Sequence, residues 1–228
     1  MKLKSCLLIA CLALQSFLFL PRAHADEASE KAVFDYCLPK AEAGDAICQF
    51  DIGIIYEFGR GGVTQDYAQA VVWYRKAAEQ GNVKAQTNLG AMYRNGNGVP
   101  QDYALAVVWY RKAAEQGDSY AQFSLGLSYD NGKGVPQDNA EAVVWYRKAA
   151  IQGVAKAQNN LAILYANGEG VPQNWFNAYL IASLAAVSGE SNGVKIRDLV
   201  AAKLTPAEQA EAQKLSNDWK VGTKLPLR

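Results

Sequence analysis

Apolar residues recur along the chain with a period of 36 positions, and within each period they follow helical spacing. The segment VVWYRKAAEQG at residues 71–81 returns unchanged at 107–117 and with one substitution at 143–153. A repeat period of about 20–50 residues is typical of stacked supersecondary units. The pattern therefore predicts a row of similar units rather than one mixed core.

Each unit is predicted to be a pair of helices. Ala85, Leu89 and Tyr93 are spaced i, i+4, i+8, and the same three residue types return 36 and 72 positions later, which places them on one helical face. The segment NGNGVPQD at 95–102 then combines helix-ending glycines, a proline and a capping aspartate before a second helix begins. A helical hairpin cannot bury its own apolar face, so neighbouring units must cover it. We expect an all-α fold, an α/α solenoid of antiparallel helical hairpins.

Four units are expected, with capping helices on both sides, 26–44 before them and 190–228 after them. Gly53, Gly90 and Gly126 fall within the first helices, where glycine costs up to about 1 kcal/mol relative to alanine. We expect this cost to be offset by close backbone approach of a neighbouring helix. The four units span residues 45–81, 82–117, 118–153 and 154–189.

The first 25 residues have the composition of a secretory signal. A basic head at 1–4 precedes an uncharged apolar run at 5–20, and Ala23 and Ala25 have the small-x-small spacing of a cleavage site. We expect cleavage after Ala25 and a periplasmic or secreted protein. The alternatives are an uncleaved anchor, although the run is shorter than the roughly 20 residues of a membrane span, and lipidation at Cys11.

Charge and composition exclude several classes of function. The chain has 23 basic and 22 acidic residues; removing residues 1–25 takes away Lys2, Lys4 and Arg22, which leaves 20 basic against 22 acidic residues and a net charge of −2. A nearly neutral chain does not favour nucleic acid as a partner, and no integral membrane span is expected in the mature chain.

Loss of the signal also removes His24, the only histidine. Without histidine the mature chain lacks a Ser-His or Cys-His nucleophile and zinc sites of the His/Cys type, so we predict no enzyme activity, no metal and no cofactor. The glycine turns recur between helices rather than once after a strand, which argues against a phosphate loop.

The mature chain keeps two cysteines, Cys37 and Cys48. In the repeat register they occupy the positions of Tyr74 and Ala85, which antiparallel neighbours bring together, and an oxidising compartment favours pairing. We expect a disulfide; the alternative is two buried free thiols.

Candidate binding residues lie where the repeats differ. Three columns of the first helices, one turn apart, vary between units and occupy a face that the Ala-Leu-Tyr stripe does not use. Short amides there are able to hydrogen bond a peptide backbone, and lysines to meet carboxylates; the alternative is ordinary surface variation. The candidate partner-binding residues are Asp51, Lys84, Asn88, Met92, Tyr120, Ser124, Ser128, Lys156, Asn160 and Leu164.

A second candidate is the recurring Arg-Lys pair at 75–76, 111–112 and 147–148. These pairs either form a basic ladder for an acidic partner or belong to a solvated face with local ion pairs such as Arg111 with Glu115.

The unit AQxxLGxxY, NGxGVPQD, AxxWYRKAAEQG resembles the Sel-one-like repeat, a relative of the tetratricopeptide repeat, over residues 45–189. The resemblance implies a right-handed superhelix whose concave face is lined by first helices, and an adaptor that binds a protein or peptide in envelope signalling, envelope assembly or host interaction. An enzyme acting on the cell wall or on β-lactams is the alternative, suggested by cysteine-rich relatives; this chain lacks their cysteine pair in every repeat. A structural spacer is the third possibility.

Overall fold

A computed structural model describes residues 27–228, so the expected signal at 1–25 and its cleavage site lie outside the described residues. The described chain forms eleven α-helices, and none of its residues lies in a strand. Within this range no helix is both long and apolar enough to cross a bilayer. The helices are α1 (Glu27–Glu42), α2 (Ala46–Phe58), α3 (Tyr67–Glu79), α4 (Val83–Asn95), α5 (Tyr103–Glu115), α6 (Ser119–Asn131), α7 (Asn139–Ile151), α8 (Ala155–Asn167), α9 (Trp175–Val187), α10 (Ser191–Ala201) and α11 (Pro206–Asp218).

The helices pack as consecutive hairpins. Within each unit the first helix packs on the second (α2 on α3, α4 on α5, α6 on α7, α8 on α9), and each second helix packs on the next first helix. Helix α1 covers α2 at one end, while α10 and α11 cover α9 at the other. The expected all-α solenoid of helical hairpins is confirmed.

The turn within each unit has the expected geometry. In the second unit α4 ends at Gly96, whose φ is 74°, and the Asp102 carboxylate accepts the backbone N–H of Leu105 at 2.9 Å. Gly98 has φ 71°, and a Cβ there would lie 2.3 Å from the carbonyl oxygen of Tyr67 in the preceding unit. Glycine is therefore required at this position because two backbones meet there.

The mid-helix glycines have a different role from the expected one. A Cβ on Gly90 would lie 2.7 Å from the Tyr110 ring, and Gly53 and Gly126 face their own second-helix tyrosines in the same way. The close neighbour is thus mainly an aromatic ring rather than a backbone. These tyrosines are almost fully buried: Tyr74, Tyr110 and Tyr146.

The fourth unit ends the series. Helix α9 is buried around most of its circumference because α8, α10 and α11 all pack on it. A capping box between Thr205 and Glu208 opens α11, as the sequence predicts. The last residues then fold back: Leu225 is buried, and the Asn177 amide donates to the Arg228 carbonyl and accepts its N–H, both at 3.0 Å. Both ends of the row are therefore covered.

Candidate functional site

The three candidate columns of the first helices differ in accessibility. Lys84, Tyr120 and Lys156 are exposed, and Tyr120 keeps 52% of its surface. The middle column is half-buried. It comprises Asp51, Asn88, Ser124 and Asn160.

The last column is buried, which corrects its place on the predicted binding face. Met92 and Leu164 are each 2% exposed and contribute to the core, and the Ser128 hydroxyl donates to the Ser124 carbonyl at 2.9 Å. These side chains lie one helical turn beyond the middle column and are buried, so a partner has no access to them. The accessible candidate face is therefore the first column with the edge of the second.

The middle column lies at what we call a seam, the contact between one second helix and the next first helix. Between the third and fourth units the Asn160 amide donates to the Tyr146 hydroxyl at 3.0 Å. Asn88 stands in the same relation to Tyr74 and lowers the pKa of that phenol, against the dominant effect of burial, which raises it. These amides therefore join successive units, a role that the sequence reasoning missed.

The hydroxyls of Tyr74 and Tyr146 also donate hydrogen bonds to carboxylates on the first helix of their own unit. Tyr74 donates to the Glu57 carboxylate at 2.5 Å, and Tyr146 donates to the Asp130 carboxylate at 3.0 Å. Burial raises the pKa of Glu57. The sequence signal for this contact is the residue directly after the stripe tyrosine, which is acidic in the first and third units (Glu57, Asp130), basic in the second (Arg94) and alanine in the fourth (Ala166).

Lys84 already forms an ion pair with a residue of the next unit. Its Nζ atom lies 2.8 Å from the Asp118 carboxylate, and that side chain is buried and also caps α6. Lys156 is also exposed, but it has no ion pair among the described residues. Of the two lysines proposed to meet a partner's carboxylates, Lys156 is the more available.

The repeated Arg-Lys pairs link units and pack on rings. Arg111 donates to the Tyr129 hydroxyl at 2.6 Å rather than pairing with Glu115, and Lys112 stacks on the Trp109 ring at 4.3 Å. The same two contacts recur in the first and third units. The expected local ion pair is wrong for Arg111, and both residue types are used structurally.

A row of glutamine hydrogen bonds, also not predicted from the sequence, joins the C-terminal ends of the second helices to the first turns of the first helices. Gln116 donates to the Gln86 side chain at 2.8 Å, and Gln86 donates to the Ala78 carbonyl at 3.1 Å. Equivalent glutamines repeat this pattern in the neighbouring units. The signal was present in the recurring Ala-Gln and Glu-Gln-Gly segments.

Cys37 and Cys48 face each other between α1 and α2. Both are buried free thiols in this structure, with their sulfur atoms 2.7 Å apart, and Cys37 Sγ lies 3.9 Å from the Asp51 carboxylate. Burial raises the pKa of both thiols, so neither has the low pKa of a catalytic cysteine. Burial and the Asp45 charge raise the pKa of Asp51 to about 6. The predicted disulfide stays a prediction, and the described residues contain no cluster of three or more metal-ligating side chains.

The chain is similar to known repeat proteins. It is 36% identical to a protective antigen present in uropathogenic Escherichia coli strains that displays an SLR fold, with a TM-score of 0.74 over 80% of this chain and 39% of that one. It is 29% identical to a Sel1 repeat protein from Oxalobacter formigenes, with a TM-score of 0.70 over 92% of this chain and 98% of that one. A stretch of 77 residues is 30% identical to the ERAD-associated E3 ubiquitin-protein ligase component HRD3A of Arabidopsis thaliana, covering 34% of this chain and 11% of the plant protein.

The match to the repeat itself covers more than half of the chain. The Sel1 repeat matches residues 46–82, 83–118, 119–154 and 155–179. Sel1 repeats generally form non-catalytic scaffolds for protein–protein interaction. Motif, fold and structural neighbours agree, and the chain belongs to the Sel1 repeat family.

Proposed function

We propose that this protein is a secreted or periplasmic scaffold that holds a protein or peptide partner on its concave face. The observation that carries the proposal is a contrast within the first helices. Contacts between units repeat almost unchanged, whereas the exposed first column changes from unit to unit through Ile47, Lys84, Tyr120 and Lys156. A constant frame with a variable accessible face is what a selective binding surface requires.

Two features of this face suit a protein or peptide partner. Tyr120 and Ile47, which are 52% and 69% exposed, offer apolar surface, and aromatic residues are enriched at interfaces. Lys156 supplies a positive charge nearby. The plant relative is described as a component of an E3 ubiquitin-protein ligase, which is consistent with a role in a protein assembly.

The signal-like residues 1–25 and the cysteine pair support the proposed compartment. Two buried thiols with sulfur atoms 2.7 Å apart need little movement to reach the roughly 2.05 Å of a disulfide. Such pairing persists in oxidising compartments. Intact-mass measurement of the protein from an osmotic-shock fraction should give a chain starting at Asp26, two hydrogens lighter than the reduced form; a full-length chain retained in the cytoplasm would refute this.

Partner capture from the native organism tests the binding face. The protein should retain a specific partner that the double variant Tyr120→Ser with Lys156→Glu loses. The matched control changes two exposed residues of second helices, Val72→Ser with Val144→Ser, and should retain it. If the control loses the partner and the first-helix variant keeps it, the concave-face assignment is wrong.

A further inference from the structure

The seam between the second and third units differs from the seams on either side of it. At the flanking seams a first-helix carboxylate, Glu57 or Asp130, accepts a hydrogen bond from the neighbouring tyrosine hydroxyl. At the middle seam the equivalent residue is Arg94, which has no acceptor to offer. The nearby charge that acts on the Tyr110 hydroxyl is therefore positive, whereas the Tyr74 and Tyr146 hydroxyls hydrogen bond to a carboxylate.

Tyr110 is consequently left unsatisfied. Its side chain is 1% exposed, and its hydroxyl is buried without a hydrogen-bond partner among the described residues. Burial raises the pKa of Tyr110, while the Arg94 charge and the nearby Ser124 hydroxyl act in the opposite direction. A buried hydroxyl without a partner is unfavourable, and buried polar groups in proteins are nearly always paired. The Tyr110 hydroxyl therefore lacks an acceptor for its hydrogen bond.

The middle seam also has smaller side chains. Phe50 packs on the Tyr74 ring with centroids 5.8 Å apart, and Phe123 packs on the Tyr146 ring at 5.9 Å. The equivalent of both phenylalanines beside Tyr110 is Thr87. Ser124 likewise stands where the flanking seams have asparagine, so the side chains around Tyr110 fill less volume.

Arg94 has unused hydrogen-bonding capacity. Its Nε atom donates to the Asn95 side chain at 3.2 Å, and among the described residues no carboxylate lies within ion-pair distance of it. Its side chain is half-buried. A guanidinium in this state is suited to bidentate pairing with a carboxylate.

We propose that Arg94, Tyr110 and Ser124 form a subsite for a carboxylate side chain of the partner. The carboxylate would take the place that Glu57 and Asp130 fill at the flanking seams, accepting from both hydroxyls and pairing with Arg94. Because the Tyr110 hydroxyl is covered in the free protein, neighbouring side chains must move on binding, and rotamer changes of this kind are common at interfaces. The inference rests on the proposed concave-face function and names the chemistry of its partner.

The partner's carboxylate is assigned to an aspartate or glutamate side chain of an extended segment rather than to a chain end. The subsite lies at the middle of the row, so a segment lying along the first helices continues on both sides. Glu57 and Asp130 occupy the equivalent positions one repeat to either side, so positive charges on both sides of the central carboxylate are favoured.

The test uses capped, fluorescein-labelled heptapeptides with the purified protein, followed by fluorescence anisotropy at low ionic strength. One peptide has a central glutamate with a lysine at each end, and its match has glutamine at the centre. We expect the glutamate peptide to bind the native protein at least about tenfold more tightly. A third peptide ends in a free carboxylate and has glutamine at the centre; dependence on that terminus alone would overturn the side-chain assignment.

Arg94→Glu is the decisive variant because it gives the middle seam the same acceptor as the flanking seams, so the fold is expected to be kept. It should abolish the preference for glutamate. Lys214→Glu on α11 makes the same change of charge at a distant exposed position and should leave the preference intact. Equal binding of both peptides by the native protein, or a preference that survives Arg94→Glu, would overturn the subsite. If captured partners still depend on Tyr120 and Lys156, the proposed function stands without it.

Discussion

The seam between α1 and α2 and the seams between successive units use the same positions with different chemistry. At an internal seam a buried tyrosine meets an amide fourteen residues later, as Tyr74 meets Asn88. At the N-terminal seam those two positions hold Cys37 and Asp51, also fourteen residues apart, and Cys48 completes the contact. The fold therefore keeps the meeting point, and at the N-terminal seam both of the residues that meet there differ from those of the flanking internal seams.

In the fourth unit two contacting positions differ together from the other units. Ala182 stands where the other units have the buried tyrosine, and Ala162 stands where they have the mid-helix glycine. Both alanines are fully buried. Once the ring is absent, the glycine that makes room for it is no longer needed, and the better helix former replaces it.

Removing the tyrosine from an internal seam should produce the largest loss of stability. Tyr146→Ala deletes a fully buried ring and its hydrogen bonds with Asp130 and Asn160. We expect the free energy of unfolding to fall by about 3–5 kcal/mol, measured by urea denaturation followed by circular dichroism. Tyr146→Phe keeps the ring and should lose only about 1–2 kcal/mol. A loss below about 1 kcal/mol for Tyr146→Ala would mean that the seam does not depend on this ring.

The N-terminal seam should depend on a covalent bond instead. Oxidised protein should contain no titratable thiol from Cys37 or Cys48 after denaturation, and reduction should lower its stability by about 3 kcal/mol, as expected for closure of so short a loop. The double variant Cys37→Ala with Cys48→Ala serves as the control because its stability should not respond to reductant. Two free thiols in protein isolated under oxidising conditions would contradict the pairing.

Much of the fold was predictable from the sequence because its signals are local. The period, the Ala85-Leu89-Tyr93 stripe, the glycine turns and the capping aspartates each depend on residues within one hairpin. The binding columns were only partly predictable. Helical spacing puts Met92 on the same face as Asn88, but the neighbouring unit decides which of them is buried, and that depends on how units stack.

Contacts between units were missed for the same reason. Arg111 with Tyr129 and Tyr146 with Asn160 are separated by eighteen and fourteen residues, and neither spacing belongs to a helix or a turn. Repetition of both partners at the 36-residue period was the available signal. It identifies which positions are fixed, but not which of them touch.

A double-mutant cycle between glycine and tyrosine should measure the coupling inferred from the fourth unit. Gly126→Ala places a Cβ 2.6 Å from the Tyr146 ring, so the overpacking cost should exceed the gain in helix propensity. Combined with Tyr146→Ala, the same change should become favourable, giving a coupling energy of about 1–3 kcal/mol from urea unfolding. Ala162→Gly in the fourth unit is the control and should cost only about 1 kcal/mol. Additive effects at positions 126 and 146 would refute the coupling.

The smallest effect concerns the charge at the N-terminal seam. Burial and Asp45 raise the pKa of Asp51 from its ordinary 3.8 to about 6, so the folded protein holds a proton that the unfolded chain has already released. The contribution of Asp51 to the free energy of unfolding should therefore be greatest below about pH 4 and should decline as the pH rises to about 6. Asp51→Asn, the residue type of Asn88 and Asn160, should remove this dependence and raise the free energy of unfolding at pH 7.5 by about 1–2 kcal/mol.

The redox state of Cys37 and Cys48 should change the pH dependence that Asp51 causes. The Cys37 thiol donates to Asp51 and lowers its pKa, and a disulfide has no such proton to donate. The decline in stability between pH 4 and pH 6 should therefore be steeper in oxidised than in reduced protein, and absent from Asp51→Asn in both states. Urea unfolding at four pH values from 4 to 7.5, for both proteins in both redox states, measures all four curves. If Asp51→Asn is less stable than the native protein at pH 7.5, the carboxylate stabilises the seam, and the N-terminal and internal seams are not chemically interchangeable.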